Sequence, residues 1–332
     1  MLNNTLRLHM NELPYLPPQR VTEAAKKGLE KINRYADTGD LETFRSILAD
    51  YADVDRERIF FGPGSDMLLK EITYLFSRGR KIVMVHPTFL PTVKSARQSA
   101  AKLVRIRLSA PNFKLDTKIL LEELTRQNEP SLVIIDNPNN PTGKILLDEK
   151  AVKDILNLKN ILLVIDEAYY EFSGKTFASL VKNYPNLCIS RSLDKAFSLA
   201  GLRIGYIIAG DSFIRGLADF YVYLPQPSLC AAMEALKNTG YAVGNVAKIT
   251  GERKRIFKSL RKLNIDVYDT ETNFLVIKSA LPDIAERLRG NGILVSDLRN
   301  ALGYGFIRVS IGLPEENNTF LDTFSKLEGI IK

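Results

Sequence analysis

With 332 residues, 45% of them hydrophobic, the chain has enough apolar material for a large core and is long enough for that core to divide into two domains. Its net charge of +8, from 46 basic and 38 acidic residues, is spread without a basic tract, which argues against nucleic-acid binding and suits anionic small molecules. Two cysteines, two histidines and no apolar run near the roughly 20 residues of a membrane span predict a reduced, cytoplasmic protein without a disulfide framework, a membrane segment or catalytic zinc.

The first motif along the chain is FGPGSD at residues 61–66. Gly62, Pro63 and Gly64 break regular structure, and Ser65 stands near the expected N-cap of a helix. Such a helix start presents free backbone N–H groups to a phosphate, although the same string occurs in many plain turns. The string lacks the Gly-Lys-Ser/Thr ending of a P-loop.

The middle of the chain alternates apolar runs with helical patterns. Strand, helix and strand in repetition predict a mostly parallel sheet that is covered on both faces. Ligands bind at the carboxyl ends of the strands in such sheets, and several runs end at polar residues, among them Asp136, Asp166 and Ser190. The predicted strands are residues 81–86, 102–108, 131–136, 161–166, 187–190 and 205–210.

Two polar strings accompany the ends of these strands, DNPNNPTGK at residues 136–144 and VIDEAYYEF at residues 164–172. We expect Asp166 to be partly buried at a strand end, where an unpaired carboxylate is costly. It therefore needs a cationic partner, and a protonated pyridine nitrogen is such a partner. A helix N-cap is the alternative interpretation of this aspartate.

The most informative segment is SLDKAFSLAGLRIGY at residues 192–206. A single lysine in a loop is usually a solvated surface residue. Here Lys195 provides an amine that can form a Schiff base with an aldehyde, while Arg203 and Ser192 provide a cation and a hydroxyl for a phosphate. This combination predicts binding of pyridoxal 5'-phosphate (PLP).

The last third of the chain has a different pattern. After the Pro-rich break at residues 223–228, a long helical stretch runs to about Lys262 and is followed by short β-like runs. This predicts a second domain of α+β type, with a core completed by the N-terminal arm and a helix at about 314–330. The predicted bounds are residues 36–235 for the large domain, and residues 1–35 with 236–332 for the small domain.

In this order and at this spacing, the strings resemble the fold-type I, class I/II aminotransferases, most closely the histidinol-phosphate aminotransferase branch, from about Leu8 to about Gly312. The resemblance implies the α/β fold of type I PLP-dependent transferases, with a mostly parallel central sheet in a large domain beside a smaller α+β domain. It also implies a homodimer with a shared active site. The implied activity transfers an amino group between an L-amino acid or an amino-phosphate, with histidinol phosphate the leading candidate, and a 2-oxoacid such as 2-oxoglutarate.

The resemblance also implies roles for individual residues. Lys195, Asp166 and Tyr169 would be catalytic, with Tyr169 and Asn140 bonding the phenolic oxygen of the cofactor. Phe89 would stack on the cofactor ring, Asn11 would be a lid or substrate contact, and Arg308 would clamp the carboxylate or phosphate of the substrate. The residues that would hold the cofactor phosphate are Gly64, Ser65, Asp66, Ser192, Arg203 and, from the neighbouring subunit, Tyr35.

Three positions depart from the family pattern. Asp194 replaces a small or hydroxyl residue beside the phosphate, so we expect this carboxylate to point away, to be offset by a cation, or to leave the phosphate to Ser192, with weakened phosphate affinity. Thr92 replaces a second aromatic residue. Ser296 replaces a substrate arginine, a role that Arg299 could take over from a shifted position.

These departures leave three alternatives open. The string LGYGFIRV at residues 302–309 resembles the ending of threonine-phosphate decarboxylases, which share the cofactor residues but break another bond at the same carbon. An aromatic or broad-range aminotransferase is the second alternative. The third is a protein that binds PLP without turnover.

Overall fold

The computed structural model describes residues 5–99, 101–217 and 222–330. Its strands, in chain order, are β1 (Leu6–Leu8), β2 (Ile59–Gly62), β3 (Lys81–His86), β4 (Leu103–Arg107), β5 (Ser131–Asp136), β6 (Ile161–Asp166), β7 (Leu187–Ser192), β8 (Gly205–Ala209), β9 (Asp266–Tyr268), β10 (Phe274–Lys278), β11 (Ile293–Asp297) and β12 (Phe306–Ser310). Its α-helices are α1 (Gln19–Leu29), α2 (Thr38–Ala52), α3 (Ser65–Phe76), α4 (Leu90–Gln98), α5 (Thr117–Thr125), α6 (Glu149–Leu156), α7 (Tyr170–Ser173), α8 (Asp211–Gly216), α9 (Gln226–Lys237), α10 (Gly240–Lys262), α11 (Ile284–Gly290) and α12 (Pro314–Leu327).

The larger sheet has the strand order β2-β8-β7-β6-β5-β3-β4. Neighbouring strands from β4 to β7 are parallel, whereas β8 runs antiparallel to both β7 and β2. This confirms the predicted mostly parallel sheet, and the predicted strands of the middle region are present with small differences at their ends. The carboxyl ends of β5, β6 and β7 therefore meet at one edge of the sheet.

Both faces of the larger sheet are buried because successive side chains of a strand point to opposite sides. Val83 and Val85 of β3 pack in the cluster that includes residues of α2, α5 and α6. Ile82 and Met84 pack in the cluster that includes residues of α3, α4 and α8. Among the residues described, no helix is both long and apolar enough to cross a bilayer.

The smaller sheet has the strand order β1-β11-β12-β10-β9. β1, from the N-terminal arm, pairs in parallel with β11, and the other neighbours are antiparallel. α12 packs against α10 and α11, with Phe320 and Phe324 buried. The N-terminal arm thus brings residues 9–12 to the space between the two sheets, where β12 also ends.

The structure corrects the predicted long helix after residue 228. The stretch consists of two helices, α9 and α10, because Asn238 leaves helical geometry with φ −144° and ψ 89°. The side-chain oxygen of Asn238 accepts a hydrogen bond from the backbone N–H of Gly240 over 3.2 Å, which stabilises the start of the second helix. The domain bounds stay predictions. α1 lies in residues 1–35, which were predicted to belong to the small domain, but it packs against α9, most of which lies in the predicted large domain.

Candidate active site

A cavity of about 510 Å³ lies at the carboxyl ends of β5, β6 and β7. The N-terminal arm and β12 of the smaller sheet close its other side. The lining residues are Met10, Asn11, Glu12, Ser65, Asp66, Phe89, Pro91, Asp136, Asn140, Asp166, Ala168, Tyr169, Ser192, Asp194, Lys195, Ala200, Arg203 and Arg308. The cavity therefore collects most of the chemically predicted residues from separate parts of the chain.

Lys195 lies in the tight loop that follows β7. The hydroxyl of buried Ser192 accepts a hydrogen bond from the backbone N–H of Asp194 over 3.0 Å and donates to the carbonyl of Ile204 over 3.4 Å. The Lys195 ammonium lies 6.0 Å from the ring centroid of Tyr169. Ser192 thus closes the base of a loop that presents the amine of Lys195 to the cavity.

The start of α3 and the side chain of Arg203 form one end of the cavity. Gly64 has φ +98°, and a Cβ there would collide with the guanidinium of Arg203. A Cβ on Gly205 would collide with the backbone nitrogen of Ser65. Glycine at both positions therefore lets Arg203 and β8 approach the exposed N–H groups at the start of the helix.

Arg203 is held by two carboxylates. Its guanidinium donates to Asp66 and, over 2.5 Å, to Asp194. Burial raises the pKa of Asp194, while the positive charges of Lys195 and Arg203 lower it. Three outcomes were expected for Asp194, and the structure shows the second of them, in which a cation, here Arg203, pairs with the carboxylate.

Asp166 lies at the carboxyl end of β6 and is almost fully buried. Its carboxylate accepts a hydrogen bond from the backbone N–H of Ala168 over 3.2 Å. Burial, and then the nearby charge of Asp136, raises the pKa of Asp166 to about 8. The charge of Lys195 lowers this pKa without cancelling the effect of burial, so burial favours the protonated form of Asp166.

Tyr169 and Asn11 form a buried pair that joins the two sheets. The side-chain amide of Asn11 donates to the hydroxyl of Tyr169 over 2.7 Å, and the hydroxyl of Ser310 donates to the side-chain oxygen of Asn11 over 3.2 Å. The ring of Tyr169 packs edge-on against Phe274, with centroids 5.5 Å apart. These contacts hold the hydroxyl of Tyr169 in place at the cavity wall.

Arg308 enters the cavity from β12. Its guanidinium donates to the side-chain oxygen of Asn140, to the carbonyl of His9 over 2.9 Å and to the hydroxyl of Ser296 over 3.3 Å. Burial lowers the pKa of Arg308, and its buried Nε has no hydrogen-bond partner among the residues described. A buried cation with an unused donor is suited to bind an anionic group of a ligand.

The sequence profile of the family described as "Aminotransferase class I and II" matches residues 3–323. A histidinol-phosphate aminotransferase from Sulfurisphaera tokodaii is 37% identical over 329 residues, which cover 96% of this chain and 89% of that relative. Histidinol-phosphate aminotransferase 1 from Archaeoglobus fulgidus is 32% identical over 328 residues, covering 98% of this chain and 99% of that relative. The chain belongs to the class I and II aminotransferases.

The structure of histidinol-phosphate aminotransferase from Sinorhizobium meliloti in complex with PLP superposes on this aminotransferase with a TM-score of 0.89 and 24% identity. The match covers 98% of this chain and 91% of that structure, which confirms the predicted fold. The activity of the chain is accordingly PLP-dependent transamination, with an amino donor and a 2-oxoacid as substrates.

The cavity of this aminotransferase fits that cofactor. Lys195 offers a primary amine, Asp166 offers a buried carboxylate that forms no ion pair with the residues described, and Arg203 offers a half-exposed guanidinium at a helix start. The volume is within the usual range of sites for small ligands. We call Asp136, Asn140, Asp166 and Tyr169 the ring end, and Ser65, Asp66, Asp194 and Arg203 the phosphate end.

Two predicted residues lie apart from the cavity lining of this aminotransferase. Tyr35 is 78% exposed and its ring centroid lies 4.5 Å from that of Tyr223, so a role within its own subunit's site has no support. Arg299 pairs with Asp297 over 2.6 Å and with Glu286 over 2.7 Å. The prediction that Arg299 replaces the arginine missing at position 296 is therefore not supported, since two carboxylates already bind its guanidinium outside the cavity.

Several lining residues were not predicted from the sequence. Met10 and Glu12 flank Asn11 in the N-terminal arm, and apart from that neighbourhood nothing in their residue types indicated a site. Asp136 was noted in the sequence as the polar end of a buried strand, as Asp166 was, but no role was assigned to it. Phe89, which was predicted, lines the cavity at the start of α4.

Proposed function

We propose that this aminotransferase takes L-histidinol phosphate as its amino donor and 2-oxoglutarate as its acceptor. The observation that carries this proposal is that relatives with 32–37% identity over nearly the whole chain are named histidinol-phosphate aminotransferases. The part-buried guanidinium of Arg308, with its unused Nε, supports an anionic substrate group at that side of the cavity. The same arginine would serve both substrates in turn, because each carries an anion next to the reacting carbon or along its chain.

Lys195 has the central role in the proposed mechanism. When bound, PLP supplies an aldehyde carbon that condenses with amines and a conjugated ring that draws electrons from the α-carbon of the donor. Lys195 Nζ would hold the cofactor through that aldehyde carbon and would be free to act as a base once the amino donor is bound. The free amine of Lys195 would take the proton from the α-carbon of the donor and deliver it to the carbon that carried the aldehyde.

The ring end would hold the cofactor in its electron-withdrawing form. Asp166 would face the ring nitrogen and keep a proton there, which would give the buried carboxylate an ion-pair partner. The hydroxyl of Tyr169 and the amide of Asn140 would donate to the phenolic oxygen. Phe89 would cover one face of the ring and exclude water.

The phosphate end would bind the phosphate through N–H groups at the start of α3 and through Ser192 and Arg203. Because Asp66 and Asp194 already bind Arg203, the phosphate would compete with them for the guanidinium. A small shift of either carboxylate would release the cation. The phosphate end therefore supports binding, with lower affinity than a cradle without Asp194.

The donor can be tested by mixing the purified holoenzyme separately with histidinol phosphate, L-phenylalanine, L-glutamate and L-threonine phosphate. Single-turnover spectra would follow the visible band of the bound cofactor while carbon dioxide is recorded. The proposal predicts the fastest loss of that band with histidinol phosphate, without carbon dioxide. Faster turnover of L-phenylalanine would contradict the donor assignment, and carbon dioxide from L-threonine phosphate would identify a decarboxylase.

A matched pair of arginine variants tests the substrate clamp. Arg308→Gln removes the guanidinium inside the cavity and should raise the apparent Kd for histidinol phosphate and for L-glutamate by about 10²-fold, as expected for a lost charge-assisted contact. Arg299→Gln removes a guanidinium that lies outside the cavity and should change both Kd values by less than about twofold. Equal effects of the two variants would overturn the assignment of Arg308.

We also propose that the chain forms a homodimer in which Tyr35 reaches the phosphate end of the neighbouring subunit. Exposed apolar side chains at the end of α1 and just beyond it support a contact with another copy, namely Leu29, Ile32 and Tyr35 itself. We propose a cytoplasmic location for this aminotransferase, as expected from a chain with only two cysteines.

Mixed dimers test the shared site. Lys195→Ala and Tyr35→Ala subunits each lack one component, but a dimer with one of each has one site with both wild-type residues if Tyr35 acts in the neighbouring subunit. Isolated mixed dimers should then recover about half of the parental turnover and the parental PLP affinity in one site. If Tyr35 acts within its own subunit, the mixed dimer has no complete site, and the site that keeps Lys195 turns over no faster than a site of the Tyr35→Ala homodimer.

A further inference from the structure

Asp136 is a buried carboxylate in the cavity to which the proposed mechanism assigns no role. It ends β5, and its Cα is paired in register with that of Asp166, which ends β6. Both residues therefore lie at one edge of the sheet, and both line the cavity. Two buried carboxylates on adjacent strands repel each other, so at least one of them must be stabilised by other groups.

Three hydrogen bonds stabilise the charge of Asp136. Thr88 Oγ1 donates to Oδ1 over 2.5 Å, and Asn139 Nδ2 donates to the same oxygen over 3.0 Å. The backbone N–H of Asn140 donates to Oδ2 over 2.6 Å. Burial raises the pKa of Asp136 to about 6 against the effect of these donors, so the carboxylate is mostly ionised at neutral pH.

The donors to Asp136 come from two segments that carry other cavity residues. Thr88 immediately precedes Phe89 in the connection from β3 to α4. Asn140 itself lines the cavity and accepts a hydrogen bond from Arg308. A single carboxylate thus fastens the segment of Phe89 and the segment of Asn140 to the end of β5.

We propose that Asp136 is a positioning residue of the transamination site, which ties the Phe89 and Asn140 segments together and places a second negative charge beside Asp166. This charge favours a proton at the ring end, because a nearby anion stabilises protonated neighbours. The other charged groups that act on Asp166 are Lys195, which opposes this effect, and Glu167, which adds to it. The inference rests on the proposed placement of Asp166 at the ring nitrogen.

The charge is tested by titrating the visible band of the bound cofactor in the holoenzyme. Asp136→Asn should lower the pKa obtained from this titration by about 0.5–1 unit. Asp136→Glu keeps the charge and should have a pKa close to that of the parent. Asp148→Asn is a matched control, because Asp148 caps α6 in the same connection but outside the cavity. A pKa in Asp136→Asn within about 0.2 of the parent would overturn the electrostatic part of the proposal.

Variants of Thr88 test whether Asp136 holds the Phe89 and Asn140 segments in place. They also provide the test if Asp136→Asn does not fold. Thr88→Val removes one donor and should weaken PLP binding by about 3–10-fold, whereas Thr88→Ser keeps the hydroxyl and should bind like the parent. Unchanged affinity in Thr88→Val would overturn the positioning role. Asp166→Asn, measured alongside, should lower the pKa obtained from the titration more than Asp136→Asn does. If Asp136→Asn shifts this pKa and Asp166→Asn does not, the placement of Asp166 at the ring nitrogen is rejected and the placement of Asp136 is kept.

Discussion

At the ring end, Asp136 and Asp166 are 5% and 7% exposed and belong to the ends of adjacent strands. At the phosphate end, the side chain of Arg203 is 45% exposed and belongs to a loop, where two carboxylates bind it. Buried charges interact strongly and depend on their fixed neighbours, while half-exposed charges are screened by solvent. Changes at the ring end should therefore alter the chemistry, and changes at the phosphate end should mainly alter affinity.

The largest effect on turnover is expected at Lys195, which lines the same cavity as the two ends. Lys195→Ala removes the only group proposed to move the α-proton and should lower turnover by about 10⁴-fold or more. Lys150→Ala, at an exposed lysine that pairs with Asp154, is the matched control and should turn over like the parent. Single-turnover absorbance provides the measurement. Parental turnover in Lys195→Ala would remove the basis of the mechanism.

Asp166→Asn tests the ring end directly. The variant keeps the shape of the side chain but removes the charge that would hold a proton on the ring nitrogen, so turnover should fall by about 10²–10³-fold. PLP affinity should fall by a much smaller factor, since the phosphate end is intact. Stopped-flow turnover and equilibrium PLP titration separate the two effects, and an equal loss in both would contradict the division of roles.

Asp194→Ser tests the phosphate end and should increase affinity. The change frees Arg203 from one carboxylate and should tighten PLP binding by about tenfold. Pyridoxal, which lacks the phosphate, provides the control, and its affinity should change by less than about twofold. If pyridoxal and PLP gain equally, Asp194 does not act on the phosphate.

The smallest effect concerns the stability of the cofactor-free protein. The folded-state pKa of Asp166, about 8, lies above the usual value for aspartate, so the folded state holds a proton that the unfolded state releases between about pH 4 and pH 8. Stability contributed by this group therefore falls as the pH rises through that window. The Tm of Asp166→Asn should exceed that of the parent by about 2–6 °C near pH 8.5 and by less near pH 5. A difference that does not vary with pH would contradict the burial of an unpaired carboxylate.

The same contrast explains which features could be predicted from the sequence. Asp166 and Lys195 were predictable because an apolar strand followed by a polar residue identifies a strand end, and strand ends form ligand sites in parallel sheets. The mostly parallel sheet followed from the same runs. The resemblance to a known family added Arg308 and Asn11, whose position in the cavity depends on the smaller sheet.

Features that depend on particular side-chain pairings could not be predicted. The binding of Arg203 by Asp66 joins residues 137 positions apart, and no local pattern indicates it. Arg299 looked like a substitute for a missing arginine, but its guanidinium pairs with Asp297, the last residue of β11, and with Glu286 on α11. Helical periodicity does not reveal the break at Asn238, where the side-chain oxygen accepts a hydrogen bond from the backbone N–H of Gly240.

The most direct test of the central claim is to reduce the holoenzyme with borohydride and map the modified peptide by mass spectrometry. Reduction makes the bond between the cofactor and its lysine permanent, so the modified residue identifies the amine that holds PLP. The account predicts that the cofactor is attached to Lys195. Attachment to another lysine, or no attachment in a protein that still transaminates, would contradict it.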